Sequence, residues 1–120
     1  MANQIVWCDI PVLDLDRAIR FYSAVLGQPV KKQELPGVRV GILPHNDGEV
    51  GACLLTSAAE KPSDKGTMIY LNANGRLDDA LAAVSANGGK IIQPKHPIGP
   101  FGFRAVILDS EGNRVALHSD

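Results

Sequence analysis

The sequence has few aromatic residues and no excess of charge of either sign. Aromatic residues make up 5% of the 120 residues, and 12 basic side chains stand against 13 acidic ones, which gives a net charge of −1. Surfaces that bind nucleic acid usually carry a basic excess, and no stretch of this sequence is a cluster of Lys and Arg. We therefore expect no nucleic-acid partner.

Long apolar runs are also lacking. The stretch from Val50 to Leu55 is one of the longest, far short of the roughly 20 residues that a membrane-spanning helix needs. The first residues, Met1 to Gln4, show neither the basic start nor the apolar segment of a secretory signal. We expect a cytoplasmic protein with no membrane partner.

Cysteine is scarce, and its two positions match no known metal motif. Cys8 and Cys53 could pair in principle, but a cytoplasmic chain of this length does not need a disulfide, and free buried cysteines are common. Their spacing is not that of a zinc site. We expect both to be reduced residues of the core.

The chain repeats itself. With hydrophobic residues at 45% and charged residues at 21%, residues 1–120 have the composition and length of a single domain. An offset of 62 residues matches 11 identical residues over 53 ungapped positions, where chance would give about three. This predicts two units, residues 4–57 and 66–119, joined by a linker at 58–65.

Each unit reads as a strand, a helix and three further strands. In the first unit a β-branched run from Ile5 to Val12 is followed by Asp14, a good N-cap, and by apolar residues at helical spacing that end before Gly27. Short β-like runs separated by turn residues follow in both units. They are 29–34, 38–43 and 50–56, then 90–93, 103–108 and 114–118.

A β-α-β-β-β unit covers only one face of its sheet with its helix, so its other face needs a partner. The sequence therefore predicts an α+β fold in which two tandem units form a curved, eight-stranded mixed sheet. The helices would lie outside, and the sheet would surround a cleft of the kind that often binds ligands.

Several stretches resemble the vicinal oxygen chelate superfamily, which includes glyoxalase I, bleomycin-resistance proteins and extradiol dioxygenases. The resemblance covers nearly the whole chain. The last part of the chain is similar to the glyoxalase-like branch of this superfamily. The stretches that carry it are Trp7 to Val12, Asp14 to Ala18, Phe21-Tyr22, Leu26-Gly27, Ile98 to Phe103 and Asp109 to His118.

The resemblance implies where a metal would bind. Metal-dependent members take one ligand from the first and one from the last strand of each unit. The corresponding positions here are Trp7, Leu54, Ile69 and Ala116. None of these side chains binds a divalent cation. We therefore expect no metal and no other cofactor, although a divalent metal would return if these ligands were misaligned.

Strand alternation predicts what else lines the cleft. Asp9 should point the same way as Trp7, and His118 the same way as Ala116 and Arg114. The indole of Trp7 suits stacking on a planar ligand. Asp9 and His118 are the candidates for acid-base catalysis, but an ion pair of Asp9 with Arg114 or Arg104 explains that carboxylate equally well.

The segment from Pro94 to Gly102 is rich in proline and glycine, so we predict a loop. Phe101 within it could then cap the cleft. His45 and His96 lie beside prolines and are expected to be exposed. The predicted ligand-binding residues are thus Trp7, Asp9, Leu54, Ile69, Phe101, Ala116 and His118.

The leading functional hypothesis is a metal-independent protein that binds a planar or hydrophobic small molecule, as in the bleomycin-resistance branch that the chain resembles. One alternative is a glyoxalase-like lyase or isomerase, either metal-dependent or acting through Asp9 and His118. A further alternative is an accessory subunit without chemistry of its own. Free strand edges and the resemblance favour a homodimer.

Overall fold

The computed structural model describes residues 3–120. Met1 and Ala2 lie outside the described residues. They are the first two residues of the predicted domain and of the stretch in which we expect no secretory signal. The chain forms two four-stranded mixed sheets and two helices in the order of two β-α-β-β-β units. The predicted α+β fold is confirmed.

The first unit builds the first sheet, in the strand order β1-β4-β3-β2. β1 runs parallel to β4, and the other neighbours are antiparallel. Its elements are β1 (Trp7–Pro11), α1 (Leu15–Leu26), β2 (Lys31–Leu35), β3 (Val38–Ile42) and β4 (Gly51–Leu55).

The second unit builds the second sheet, in the corresponding order β5-β8-β7-β6. Its first strand has only three residues and again runs parallel to the last. Its elements are β5 (Tyr70–Asn72), α2 (Leu77–Ala86), β6 (Lys90–Pro97), a short 3-10 turn (Gly99–Phe101), β7 (Phe103–Leu108) and β8 (Arg114–Ser119).

Helix α1 follows its local signals closely. The side chain of Asp14 accepts a hydrogen bond from the backbone N–H of Arg17 at 3.0 Å, and the helix ends at Gly27, whose φ of 70° is left-handed. The apolar face of α1 is buried through Ala18, Phe21, Tyr22 and Val25. Phe21 and Tyr22 are thus fully buried core residues.

The two helices pack against each other and against both sheets, so the two units share one hydrophobic core. Core residues come from alternate strand positions, including Ile10, Leu54 and Leu117. Each sheet therefore has one face towards the helices and one away from them, which we call its helix-free face. Among the described strands, hydrogen-bonded pairing stays within each sheet, so the eight strands form two sheets rather than one continuous one.

The prediction of a loop from Pro94 to Gly102 was wrong for its first half. β6 continues to Pro97, with register shifts between Ile91 and Gln93 and between Gln93 and His96. β6 is the outermost strand of the second sheet, and an edge strand tolerates proline because one side of its backbone needs no ladder partner. His96 is consequently a half-buried strand residue and not the exposed turn residue that we expected.

The turn between β7 and β8 ties the second unit to the first. Asp109 is buried and accepts hydrogen bonds from Tyr22 Oη at 2.5 Å and from the backbone N–H groups of Glu111 and Asn113 at 2.8 Å. Burial, followed by the negative charge of Asp109, raises the pKa of Tyr22 well above its ordinary value. Asn113 also donates to the carbonyl of Pro11 at 2.7 Å.

The cysteines are both free thiols. Cys8 pairs with Ala52 across β1 and β4, whereas Cys53 pairs with Asp9, so the two thiols point to opposite faces of the sheet. Burial raises the pKa of Cys8. Within residues 3–120, no helix is long and apolar enough to cross a membrane.

Candidate functional site

The helix-free face of the first sheet carries Trp7 and Asp9. The strand register places Trp7 opposite Gly51 and Asp9 opposite Cys53, so these residues share one face. Trp7 is 43% exposed, which is unusual for the largest apolar side chain. His45 is the exposed residue shortly after β3 that approaches this face. We call Trp7, Asp9, His45 and Cys53 the Trp7 cluster.

Three contacts hold the indole of Trp7 in place. Its Nε1–H donates to Asp9 Oδ1 at 3.1 Å, and the ring of His45 meets it edge-on, with centroids 5.6 Å apart. The ring also lies directly over Gly51, because a Cβ there would be 2.6 Å from Trp7 Cζ3. A glycine at this position lets the indole lie against β4 with one surface free.

Among the residues that the structure describes, Asp9 has hydrogen-bond donors but no basic partner. Its Oδ1 accepts from the Sγ of Cys53 at 3.3 Å as well as from Trp7. Burial, followed by the hydrogen bond to Asp9, raises the pKa of Cys53 to about 11, so the thiol stays protonated. Among residues 3–120, no ion pair joins Asp9 to Arg104 or Arg114, so that interpretation of the carboxylate was wrong.

The helix-free face of the second sheet carries a different set of side chains. Tyr70 lies opposite Ala116, and His118 lies opposite Arg104. Tyr70 is 46% exposed, and its ring centroid is 6.3 Å from that of His118. We call Tyr70, His96, Arg104 and His118 the Arg104 cluster, because Arg104 makes most of its hydrogen bonds.

The guanidinium of Arg104 joins two strands of this sheet. Its Nε–H donates to His96 Nε2 at 3.0 Å, and its Nη1 donates to Tyr70 Oη at 2.5 Å. The guanidinium carbon also lies 5.9 Å from the centroid of the Tyr70 ring. The arrangement holds one positive charge at the surface of the sheet.

His118 and Phe101 meet at an open depression of about 540 Å³. The ring of His118 is 2.6 Å, through Nε2, from the carbonyl oxygen of Phe101, so Nε2 carries a proton and donates to that oxygen. The side chain of Phe101 is 72% exposed. A second depression, of about 370 Å³ at the start of α2, is lined by Asp78, Asp79, Lys95 and other residues, none of which was predicted to bind ligand.

Two predicted lining residues belong to the other side of their sheets. Leu54 is fully buried in the shared core, and Ile69 packs against that core. The offset of 62 residues fails here by one position in each strand, since the core pair Ile10 and Leu54 corresponds to Leu71 and Leu117, at offsets of 61 and 63. A slip of one residue moves a strand residue to the opposite face. Ala116 lies on the same face as His118, but its small side chain is fully buried.

The predicted residues therefore fall into two groups. Trp7 and Asp9 lie together on the first sheet, and Phe101 and His118 lie together on the second. Among the contacts of residues 3–120, none joins Asp9 to His118, so the structure gives no support to their working as one acid-base pair. Sequence reasoning missed Cys53 and Tyr70, which strand pairing would have revealed, and the hydrogen bond that Arg104 makes to His96 across two strands.

The side chains of one chain do not fit a resident divalent cation. No three His, Cys, Asp or Glu side chains in the described part of the chain come together as a metal site. Asp9 Oδ1 already accepts two hydrogen bonds, and the thiol of Cys53 is protonated, whereas a metal binds the thiolate. Where a metal-dependent relative would need four ligands, this chain has Trp7, a core leucine, a core-facing isoleucine and an alanine.

Known proteins resemble the chain in sequence and in fold. The candidate glyoxylase CFP32 of Mycobacterium tuberculosis is 29% identical over 112 residues, which cover 90% of this chain and 41% of that protein. A glyoxalase/bleomycin resistance protein from Albidiferax ferrireducens has a TM-score of 0.78 at 19% identity, over 98% of this chain and 99% of that one. The fosfomycin resistance protein FosX from Listeria monocytogenes has a TM-score of 0.68 at 13% identity, over 100% and 95%.

These likenesses have different weights. The two solved structures share the fold, and the chain spans less than half the length of its curated relative. The family model matches residues 4–117, almost the whole chain. With this match and the paired β-α-β-β-β units, the chain belongs to the Glyoxalase/Bleomycin resistance protein/Dioxygenase superfamily.

Proposed function

We propose that this protein binds a planar or hydrophobic small molecule without a metal, and that the ligand stacks on Trp7. The observation that carries the proposal is the half-exposed indole, fixed by Asp9 and His45 on a face that the helices do not cover. An aromatic ring that is already held in place loses little entropy when a ligand stacks on it.

The polar groups around Trp7 supply direction to such binding. Asp9 is exposed, and among the described residues only its Oδ1 has hydrogen-bond donors. Oδ2 can accept a hydrogen bond from an N–H or O–H group of a ligand stacked on the indole. His45 donates through Nδ1 to the carbonyl of Leu43 at 2.9 Å, so in the neutral imidazole Nε2 is a further acceptor beside the indole.

The absence of a metal is part of the proposal, and it is supported by the donor set of a single chain. Trp7 and Ala116 offer no lone pair to a cation, and Leu54 and Ile69 face the core.

FosX is named as a fosfomycin resistance protein. A role in sequestering a toxic small molecule in the cytoplasm agrees with that likeness and with the binding surface.

We also propose that the protein is a homodimer. Apolar side chains at the start of the first sheet are exposed, namely Ile5 at 69% and Val6 at 71% beside Trp7, and Ile92 is half exposed on β6. A second copy would cover such side chains. Each sheet also ends in strands with one unpaired edge, β1 and β2 in the first sheet.

Native mass spectrometry of the protein as purified from cells tests these proposals together. We expect a mass of twice 12.8 kDa, without a stoichiometric metal, either free or with an organic adduct whose mass indicates the ligand class. A stoichiometric divalent metal would refute the metal-independent proposal. A protein that stays monomeric at every concentration of a series, including the highest, would refute the dimer.

Stacking on Trp7 has its own test, since Trp7 is the one tryptophan in the sequence. Quinoline and other neutral bicyclic aromatics should shift its fluorescence on titration and should show saturation transfer in NMR spectra. We expect Trp7→Phe to weaken and Trp7→Ala to abolish the transfer, whereas Leu35→Ala, which removes an exposed apolar side chain from β2 of the same sheet, should leave it unchanged. Equal transfer to Trp7→Ala and wild type would refute stacking.

The alternative function is a glyoxalase-like lyase or isomerase, and one observation favours it. His118 borders an open depression, where Nδ1 of its neutral imidazole could take a proton from a substrate while Nε2 donates to Phe101. The test is turnover of the thiohemiacetal of glutathione and methylglyoxal, with and without a chelator, in wild type and His118→Gln. Turnover that survives the chelator and is lost in His118→Gln would replace the binding proposal.

A further inference from the structure

The second sheet is a basic surface. Its four strands contain no Asp or Glu, in contrast to the first sheet, where β1 has Asp9 and β2 has Glu34. The basic and imidazole side chains of the second sheet are Lys90, Lys95, His96, Arg104, Arg114 and His118. One of them, Lys95, pairs with Asp78 of α2 at 2.9 Å, so the positive charge on the strands of this sheet is compensated only in part.

Arg104 is a cation of this surface that two side-chain hydrogen bonds hold in place. It is half-buried, and among residues 3–120 no carboxylate lies within ion-pair distance of it. Its hydrogen bonds to His96 and Tyr70 use two of the five N–H groups of the guanidinium. The remaining N–H groups, with both on Nη2 among them, form the planar fork that binds carboxylates and phosphates.

The neighbours of Arg104 are arranged for an anion. His96 Nδ1 lies 2.8 Å from the carbonyl of Pro94, so it donates there, and Nε2 accepts from Arg104. The neutral imidazole of His96 therefore holds the guanidinium of Arg104 in position. Tyr70 accepts from Arg104 through its oxygen, which leaves its O–H group to donate to a bound oxygen atom.

An apolar wall lies next to this cluster. His118 is the cross-strand neighbour of Arg104, and it borders the depression of about 540 Å³ together with Phe101 and Pro100. Asp120 also borders that depression but makes no ion pair with Arg104. A ligand that contacts Arg104 can therefore also place an aromatic group against the exposed ring of Phe101.

We propose that the Arg104 cluster binds the oxyanion of an acidic small molecule, a carboxylate or a phosphate group. The proposal rests on the proposed function of small-molecule binding and names a chemical class for the ligand. Arg104 supplies the charge and two parallel N–H donors, Tyr70 supplies a further O–H donor, and His96 holds the guanidinium in place.

Benzoate, phenyl phosphate, inorganic phosphate and neutral benzamide are suitable probes in titrations followed by ¹H–¹⁵N NMR spectra. In wild type, the two aromatic anions should shift the Nε–H signal of Arg104 and the amide signals of Tyr70 and His118. Inorganic phosphate should shift the same signals more weakly, and benzamide should leave them in place. Loss of a charge-assisted pair of hydrogen bonds should weaken benzoate binding about 10-fold or more in Arg104→Gln.

Two further variants complete the test. Arg104→Lys keeps the charge but loses the planar fork, so its affinity for benzoate should lie between those of wild type and Arg104→Gln. Arg39→Gln is the matched control, because Arg39 lies on β3 of the first sheet and is paired with Glu34 at 3.0 Å. Its affinity for benzoate should equal that of wild type within twofold.

The proposal would be overturned if benzamide bound wild type as well as benzoate does, or if Arg104→Gln bound benzoate as tightly as wild type. The comparison of benzoate with benzamide uses wild-type protein alone, so it decides even if a variant fails to fold. If wild type bound benzoate at Arg104 but not quinoline at Trp7, only the stacking proposal would be refuted. If it bound quinoline at Trp7 but not benzoate at Arg104, only the oxyanion site would be refuted.

Discussion

Glu111 Oε2 lies 2.7 Å from Nε of Arg17, a residue 94 positions earlier in the chain. The carboxylate also accepts the backbone N–H groups of Leu13 and Asp14 at 2.9 and 2.8 Å. It therefore closes the start of α1, where the helix leaves its first N–H groups unpaired. One side chain of the second unit thus holds the junction between β1 and α1 in the first, close in sequence to Trp7 and Asp9.

Glu111→Gln should destabilise the protein by about 2 kcal/mol. The side chain of Glu111 has no exposed surface, and the amide keeps its shape but loses the charge that Arg17 and the two backbone donors require. Urea unfolding measures the change. The control is Glu34→Gln, which breaks the exposed pair with Arg39 and should cost less than about 0.5 kcal/mol. Equal stability of the two variants would show that the buried carboxylate contributes nothing beyond its shape.

Glu111 also predicts a loss of stability in acid. Burial alone would raise its pKa, but the hydrogen bonds from Arg17, Asp14, Ser110 and Leu13 lower the pKa from 4.5 to about 2. Between those values the unfolded chain binds a proton that the folded chain does not, so this contribution to stability is complete above pH 4.5 and falls as the pH approaches 2. Urea midpoints measured across this window should fall more steeply for wild type than for Glu111→Gln. Parallel curves would contradict the assignment.

Tyr22→Phe should cost about 1 to 2 kcal/mol of unfolding free energy. The phenol donates to Asp109 at 2.5 Å, and both residues are buried, so the variant removes a donor from a carboxylate that water cannot reach. Asp109 keeps the N–H groups of Glu111 and Asn113, which limits the loss. Tyr70→Phe is the control, because Tyr70 is 46% exposed, so water can take the place of its hydroxyl as the partner of Arg104. A cost below 0.5 kcal/mol for Tyr22→Phe would refute this role.

The parts of the fold that depend on neighbouring residues could be predicted from the sequence. The bounds of α1 follow from the cap at Asp14, the helical spacing of apolar residues and the left-handed Gly27. The repeat predicted two units of equal element order. Trp7 and Asp9 share a face because alternation along a single strand suffices to predict it.

What the sequence could not supply was the register between strands distant in the chain. The repeat aligns Ile69 with Trp7, but the second unit has a three-residue β5 and a different path into α2, so Tyr70 faces away from the helices instead. The prediction that Leu54 lines the cleft was wrong for the same reason, because it depended on the same offset. The contact of Arg104 with His96 depends on the irregular register of β6, which no local signal reports.

Gly51→Ala should disturb Trp7 while leaving the fold intact. A Cβ at residue 51 would lie 2.6 Å from Cζ3 of the indole and 3.0 Å from the ring of His45. Both rings must therefore move away from β4. Since Trp7 is the one tryptophan and lies at the surface, we expect its emission maximum to shift to longer wavelength and the affinity for quinoline to fall several-fold. The shift follows from greater contact of the indole with water.

Gly41→Ala is the matched control for this prediction. Gly41 lies in β3 on the opposite face of the same sheet, where a Cβ would be 2.9 Å from Cγ1 of Ile19. Overpacking of the core there should cost about 1 to 3 kcal/mol of stability without moving the emission of Trp7. If Gly51→Ala left emission and quinoline affinity unchanged, the indole would not be held against β4, and the stacking surface would lose its physical basis.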